Sequence, residues 1–215
     1  MGMDYKTFKL IQQYNRVIMW NSFAGKDENS DKSQQHERVI EEIDEFEAHT
    51  NTPVGENHAM RVKVLDDICD IFVTASFLDY MTCGGKSCSL YGMPQNERIQ
   101  NIVRNGNFHE LRDELYVVNA LYVVNSIINT PNYDDIDFVG AIEHVVDSNF
   151  SKFIPRGANA LLEAALVEFA KKGEDVYVVD SNLYHVIKRK SDDKIMKPKI
   201  CFREPQLDKF IKKGA

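Results

Sequence analysis

Two segments of this chain, residues 34–48 and 57–81, each carry an apolar stripe at helical spacing with carboxylates three residues apart along its edge. In the first, Val39, Ile40, Ile43 and Phe46 form the stripe, flanked by Glu41, Glu42, Asp44 and Glu45. In the second, Leu65, Ile68, Ile71, Phe72 and Ala75 form it, beside Asp66, Asp67 and Asp70. Residues three or four apart share a helix face, so each segment must bury its stripe and keep its acids at the rim. The intervening His49–Asn57 contains Asn51, Pro53 and Gly55, which break a helix and predict an antiparallel hairpin. Folded about its midpoint, that hairpin sets Glu42 level with Asp70 and Glu45 level with Asp67.

Periodicity leaves two flanks open on the first helix, Glu42 with Glu45 or Glu41 with Asp44. The second helix chooses between them. Asp67 and Asp70 stand to Ile68 as Glu42 and Glu45 stand to Ile43, whereas the opposite flank offers Asp66 followed by Cys69. Glu42, Glu45, Asp67 and Asp70 are therefore the expected metal ligands. An all-carboxylate set suits a hard cation, Mg2+ or Mn2+, whose usual partners are substrate phosphates. Zinc is disfavoured, and a di-iron bundle would need Glu-x-x-His on two helices, a spacing this chain lacks. A single acidic cluster is usually a solvated surface; two clusters in matching register argue for a site.

These residues resemble a known family. Glu41-Glu42-Ile43-Asp44-Glu45 followed by Asp66-Asp67-Ile68-Cys69-Asp70 is similar to the ExxE and ExxD signature of the all-α nucleoside triphosphate pyrophosphohydrolases. That superfamily takes in MazG-like proteins, dimeric dUTPases and phosphoribosyl-ATP pyrophosphohydrolases. Asp67 departs from it, since glutamate is usual there. Ser148-Asn149-Phe150-Ser151-Lys152 resembles the S-N-x-S-K segment of phage-encoded and MazG-like members, in which Asn and Lys face the substrate. Tyr184–Arg189 with Asp193-Lys194-Ile195-Met196-Lys197-Pro198 resembles their short C-terminal hairpin and its D-x-K-x-x-K-P ending. Residues 86–135 have no counterpart.

The resemblance implies an all-α, antiparallel MazG-like helical bundle with a small C-terminal β-hairpin appendage. It implies hydrolysis of a (d)NTP to (d)NMP and pyrophosphate with Mg2+ or Mn2+ as cofactor, in nucleotide-pool sanitation or phage nucleotide metabolism. Asn149, Lys152, Lys194 and Lys197 are the expected substrate contacts. Glu41, beside Glu45 on the helical projection, is the candidate general base. Members of the family bury helix flanks in dimers or tetramers, so a homodimer or homotetramer is expected. The alternative is a non-catalytic nucleotide- or metal-binding regulator on the same fold, against which the four intact carboxylates count.

Bulk properties fit this reading. The 215 residues predict one domain, a helical part over 1–172 and a β-rich part over 173–215. The net charge of −7 argues against nucleic-acid or membrane partners, so a polyanionic substrate must be neutralised locally. Four cysteines without a CxxC pair, and no apolar signal segment at the start, predict reduced thiols in the cytoplasm of a bacterial or phage-infected cell. Helices are further expected over 5–23, 95–105, 108–129, 137–148 and 158–172, with a break at Pro155-Arg156-Gly157. Val176–Val179, Tyr184–Lys188 and a stretch after Ser191-Asp192-Asp193 read as extended. Trp20 and Phe23 could stack on a base, although core packing is the simpler assignment.

Overall fold

Apolar spacing decides the helical architecture. The computed structural model describes residues 5–51, 58–86, 97–105, 110, 120–128 and 135–212. Among the described residues, six helices precede the first strand: α1 (Tyr5–Phe23), α2 (Lys32–Asn51), α3 (His58–Thr82), α4 (Glu97–Asn105), α5 (Ala120–Ile128) and α6 (Phe138–Phe150). They are followed by β1 (Ile154–Pro155), α7 (Asn159–Lys171), β2 (Val176–Asp180), β3 (Tyr184–Arg189) and a 3-10 turn, Asp208–Phe210. The expected mainly helical fold with a small sheet is observed. The expected end of the helix over 108–129, before Thr130-Pro131-Asn132, lies outside the described residues.

The acidic helices run longer than their stripes. Asp31 starts α2 early, its Oδ1 accepting the backbone N–H groups of Ser33 and Gln34 at 2.9 and 3.1 Å. At the other end His49, Thr50 and Asn51, read from sequence as turn, are helical, and the Thr50 hydroxyl bonds back to the Phe46 carbonyl at 2.8 Å. Residues 52–57 of the expected turn lie outside the described residues. The pair is antiparallel: Gln35 near the start of α2 donates to the Thr74 carbonyl at 2.8 Å, while His49 near its end meets Asp67. Gly84 and Gly85, at φ 64° and 78°, stop α3 as their position predicts.

Helix α3 is the axis of the bundle. Leu65, Ile68, Phe72 and Ala75 are buried, and so are Val64, Cys69, Val73 and Phe77 on its other faces. Helices α1, α2, α5 and α6 all pack against it. Fully burying a Leu, Ile or Phe side chain contributes roughly 1.5–3 kcal/mol, so this one helix organises the main core. The C-terminal strand of chain returns to it: Asp137 N–H donates to the Phe210 carbonyl at 2.8 Å, Ile136 bridges Ile211, and Leu207 and Ile211 enter the same core.

The sheet has the order β1-β3-β2, antiparallel throughout. Its third strand differs from expectation. Ile154-Pro155, of which Pro155 opens the expected break, pairs with β3, whereas the stretch after Asp193 makes only an isolated bridge, Lys188 to Ile195. Proline is tolerated at this edge because no ladder bond needs its missing N–H. Alternation along β3 serves two cores: Ile187 packs with Ala165 and Phe169 of α7, and Val186 packs with Ala24 and Phe153. Around Val186, Trp20, Phe23, Phe150, Phe153 and Tyr184 form a ring cluster with Trp20 stacked on Phe153 at 5.5 Å. This cluster joins the appendage to the ends of α1 and α6. Among the described residues no helix is long and apolar enough to cross a membrane.

Candidate functional site

The junction encloses a cavity of about 680 Å3. One face of α2 supplies Gln35, Arg38, Glu41, Glu42 and Glu45, and α3 supplies Asp70 and Thr74. The ends of α1 and α6 add Trp20, Asn21, Asn149 and Lys152, and the segment after β3 adds Asp192, Lys194 and Lys197. An acidic wall thus faces a basic one.

Of the expected ligands, Glu42, Glu45 and Asp70 line this cavity, and Asp67 does not. Asp67 is buried, 6% exposed, with His49 Nδ1 2.6 Å from its Oδ2. Its short side chain and that bond hold it behind the wall. Glu41, placed by the stripe on the flank of Asp44, lines the cavity with Glu42 and Glu45, whereas Asp44 does not. The reason is angular: residues 38, 41, 42 and 45 fall within about 100° on a helix of 3.6 residues per turn.

Burial and crowding disfavour ionisation of this acidic wall. Burial pushes Glu42 up to about 8, helped most by the charge of Asp70 and then by Glu45, Glu41 and Asp67. Asp70 is pushed up to about 7 by burial and by Asp66, with Lys152 and Lys197 opposing. Burial raises Asp67 to about 6 against the pull of His49. Asp70 as the strongest charge on Glu42 matches the expected hairpin register. Burial also holds the Cys69 thiol well above its usual range, which keeps it protonated beside these acids.

The basic wall is held from behind by aromatic rings. Lys152 donates to the Asn149 side-chain oxygen, and its Nζ lies 5.6 Å from the Trp20 ring and 5.9 Å from the Phe202 ring. Lys197 Nζ sits 4.9 Å from Phe202. Burial and the neighbouring Lys197 lower Lys152 to about 8. Trp20 Nε1 donates to the Asn149 carbonyl at 2.9 Å, so this ring both packs in the core and borders the cavity. Phe202 is on a strap tied to α6: Ser148 Oγ donates to the Arg203 carbonyl at 2.7 Å, and Arg203 N–H donates to Ser151 Oγ at 2.9 Å.

Lys194 and Lys197 reach the wall because the chain after β3 docks along that strand. Arg189 N–H bonds the Lys194 carbonyl and Met196 N–H bonds the Ile187 carbonyl, both at 2.9 Å. The turn between them places Asp193 at φ 59°, and its carboxylate accepts from Tyr177 Oη and, at 3.0 Å, from Lys188 Nζ. Asp192 is held well below the usual carboxylate range by Arg189, whose nitrogens lie 2.9 and 2.5 Å from its oxygens. All four expected substrate contacts therefore border one space with Glu41, Glu42, Glu45 and Asp70. Arg38, Gln35, His49 and Phe202 were not singled out from sequence. For Arg38 the signal was present, since it lies one turn before Glu42 on the same face.

The donor set fits a hard divalent cation, with carboxylate oxygens on one wall and no thiolate or imidazole lining the cavity. Among the described residues, no three His, Cys, Asp or Glu side chains are drawn together as a ready-made coordination sphere. The chain matches no protein-family model, no curated protein and no solved structure.

Proposed function

We propose that this protein is a divalent-metal-dependent nucleoside triphosphate pyrophosphohydrolase, forming a (d)NMP and pyrophosphate from a (d)NTP and water. The observation that carries the reading is the meeting of Glu41, Glu42 and Glu45 of α2, Asp70 of α3, Lys152 after α6, and Lys194 and Lys197 after β3 around one cavity. Glu42, Glu45 and Asp70 would hold Mg2+ or Mn2+, with Asp67 as a further ligand on rotation away from His49. When bound, such a cation supplies neutralisation of phosphate charge and an acidified water.

The chain's own groups do the rest. Glu41 is exposed on the cavity face and takes up the proton of the attacking water, whose oxygen forms the new bond to phosphorus as the pyrophosphate oxygen leaves. Lys152, Lys194 and Lys197 balance the charge of the phosphate chain and hold it in line. Asn149, fixed by Lys152 on one side and by Trp20 at its carbonyl, presents a polar edge to sugar, base or phosphate. The ring contacts on the lysines exclude water from the side away from the substrate.

Incubating the full chain and Mg2+ with a panel of NTPs and dNTPs, and measuring pyrophosphate against orthophosphate, tests the reading. Pyrophosphate release from at least one nucleotide is expected. Release of orthophosphate alone refutes it, and nucleotide binding without turnover favours the regulator alternative.

A further inference from the structure

Phe202 is an apolar ring that packs into no core. Although half-buried, it belongs neither to the main core nor to the smaller clusters around Ile187 and Val186. Among the described residues it meets no other aromatic ring. What lies over it is charge: Lys197 Nζ stands 4.9 Å from the ring centroid and Lys152 Nζ 5.9 Å. The two lysines arrive from different parts of the chain, one after α6 and the other after β3, and both line the cavity. Lys152 has other holders, the Asn149 side-chain oxygen and the Trp20 ring. Lys197 makes no hydrogen bond or ion pair among the described residues, and Asp66 and Asp70 act on it from beyond ion-pair distance.

The segment that carries the ring is pinned without it. Phe202 N–H donates to the Pro198 carbonyl at 2.8 Å, Lys199 N–H donates to Glu168 Oε2 at 3.0 Å, and the Arg203 backbone is tied to Ser148 and Ser151. Backbone bonds therefore set where the ring stands, and its electron-rich face attracts ammonium groups without taking up their N–H donors. A carboxylate in that place would neutralise the lysines and compete with an incoming phosphate. An aliphatic side chain would leave Lys197 without a hold. We infer that Phe202 is a positioning residue, whose ring gathers Lys152 and Lys197 on the cavity wall with donors to spare for a polyphosphate chain. The identity of that anion rests on the pyrophosphohydrolase reading; the gathering of the lysines rests on the ring contacts alone.

The test is calorimetric titration of inorganic tripolyphosphate, in Mg2+, into the full chain. Phe202→Leu should weaken binding about tenfold, whereas Phe202→Tyr, which keeps an aromatic face, should stay within about twofold of wild type. A double-mutant cycle asks whether the ring acts through Lys197. Lys197→Met should weaken binding by itself, and adding Phe202→Leu to it should cost less affinity than Phe202→Leu costs wild type. General loosening of the segment would instead cost the same in both backgrounds. Ile200→Ala, at an exposed position of the same segment outside the cavity, should change nothing. If Phe202→Leu does not fold, replacing Phe202 by trifluorophenylalanine decides, because it keeps the shape while depleting the ring face, and binding should again weaken. Unchanged tripolyphosphate affinity in the variant that folds, or a Phe202→Leu loss undiminished beside Lys197→Met, overturns the assignment. Nucleotide hydrolysis with an affinity indifferent to the ring would remove the positioning role alone. Ring-dependent tripolyphosphate binding without hydrolysis of any nucleotide would refute the enzyme reading and leave the role standing.

Discussion

Asp70 is the residue on which opposing influences converge: burial and Asp66 push its carboxyl up while Lys152 and Lys197 across the cavity pull it down. Asp70→Asn removes a ligand and relieves repulsion on Glu42, so Mg2+ or Mn2+ affinity should fall and hydrolysis should drop by about 100-fold or more. The metal-free variant should melt at a higher temperature than metal-free wild type. Undiminished turnover would refute the metal assignment. Glu41→Gln separates base from ligand: kcat should fall by about 100-fold with metal affinity retained, and loss of metal binding as the first defect would move Glu41 into the coordination shell. The pH dependence follows with an unusual sign. Glu42, Asp70 and Asp67 have folded values of about 8, 7 and 6, above their ordinary values of 4.5, 3.8 and 3.8. Between the two sets the folded state binds more protons, so stability falls as pH rises. In chelator the melting temperature should drop from pH 5 to pH 8, and Mg2+ should restore more of it at pH 8. A metal-free protein that gains stability over that range would contradict the crowding of these acids.

At the scale of elements, the start of α6 shows close approach overriding helix propensity. Asp137 caps the helix by accepting the Gly140 N–H at 3.0 Å, and its own N–H holds the returning C-terminal chain at the Phe210 carbonyl. A Cβ at Gly140 would come within 2.5 Å of Asp137 Oδ2 and 2.8 Å of the Phe210 ring. Alanine in a helix interior is ordinarily worth about 1 kcal/mol over glycine, whereas overpacking of this kind costs about 1–3 kcal/mol. Gly140→Ala should therefore destabilise the protein in urea unfolding, and a gain in midpoint would show that the C-terminal strap yields freely. The capping of α2 by Asp31 is a local effect of the ordinary kind, legible from an acid before a helical stripe. The pairing of β1 with β3 is not local, because two residues carry no period and their partner lies 31 positions away in the register Ile154 with His185.

For the whole molecule, the expectation of a homodimer or homotetramer began with apolar helix flanks that a single hairpin leaves uncovered. Here α1, α5 and α6 pack on α3 in the same chain, so the proposal of an oligomer rests instead on the exposed Tyr5, Phe8 and Met19 of α1, which share one face. Sedimentation at micromolar concentration should show a dimer that Phe8→Glu dissociates; an active wild-type monomer would mean that the chain's own helices have taken the place of a partner. The sequence by itself determined the acidic hairpin, the glycine stop after α3 and the β-rich tail, because each follows from spacing within a few turns or a short strand. It also contained the face shared by Arg38, Glu41, Glu42 and Glu45, although a stripe centred on Ile43 assigns Glu41 to the wrong flank. Only the tertiary structure decided that Asp67 bonds His49 behind the wall and that Phe202 backs two lysines. These depend on how the ends of α1, α2, α6 and β3 come together, and burial of the aromatic cluster at that junction sets their approach where no local period records it.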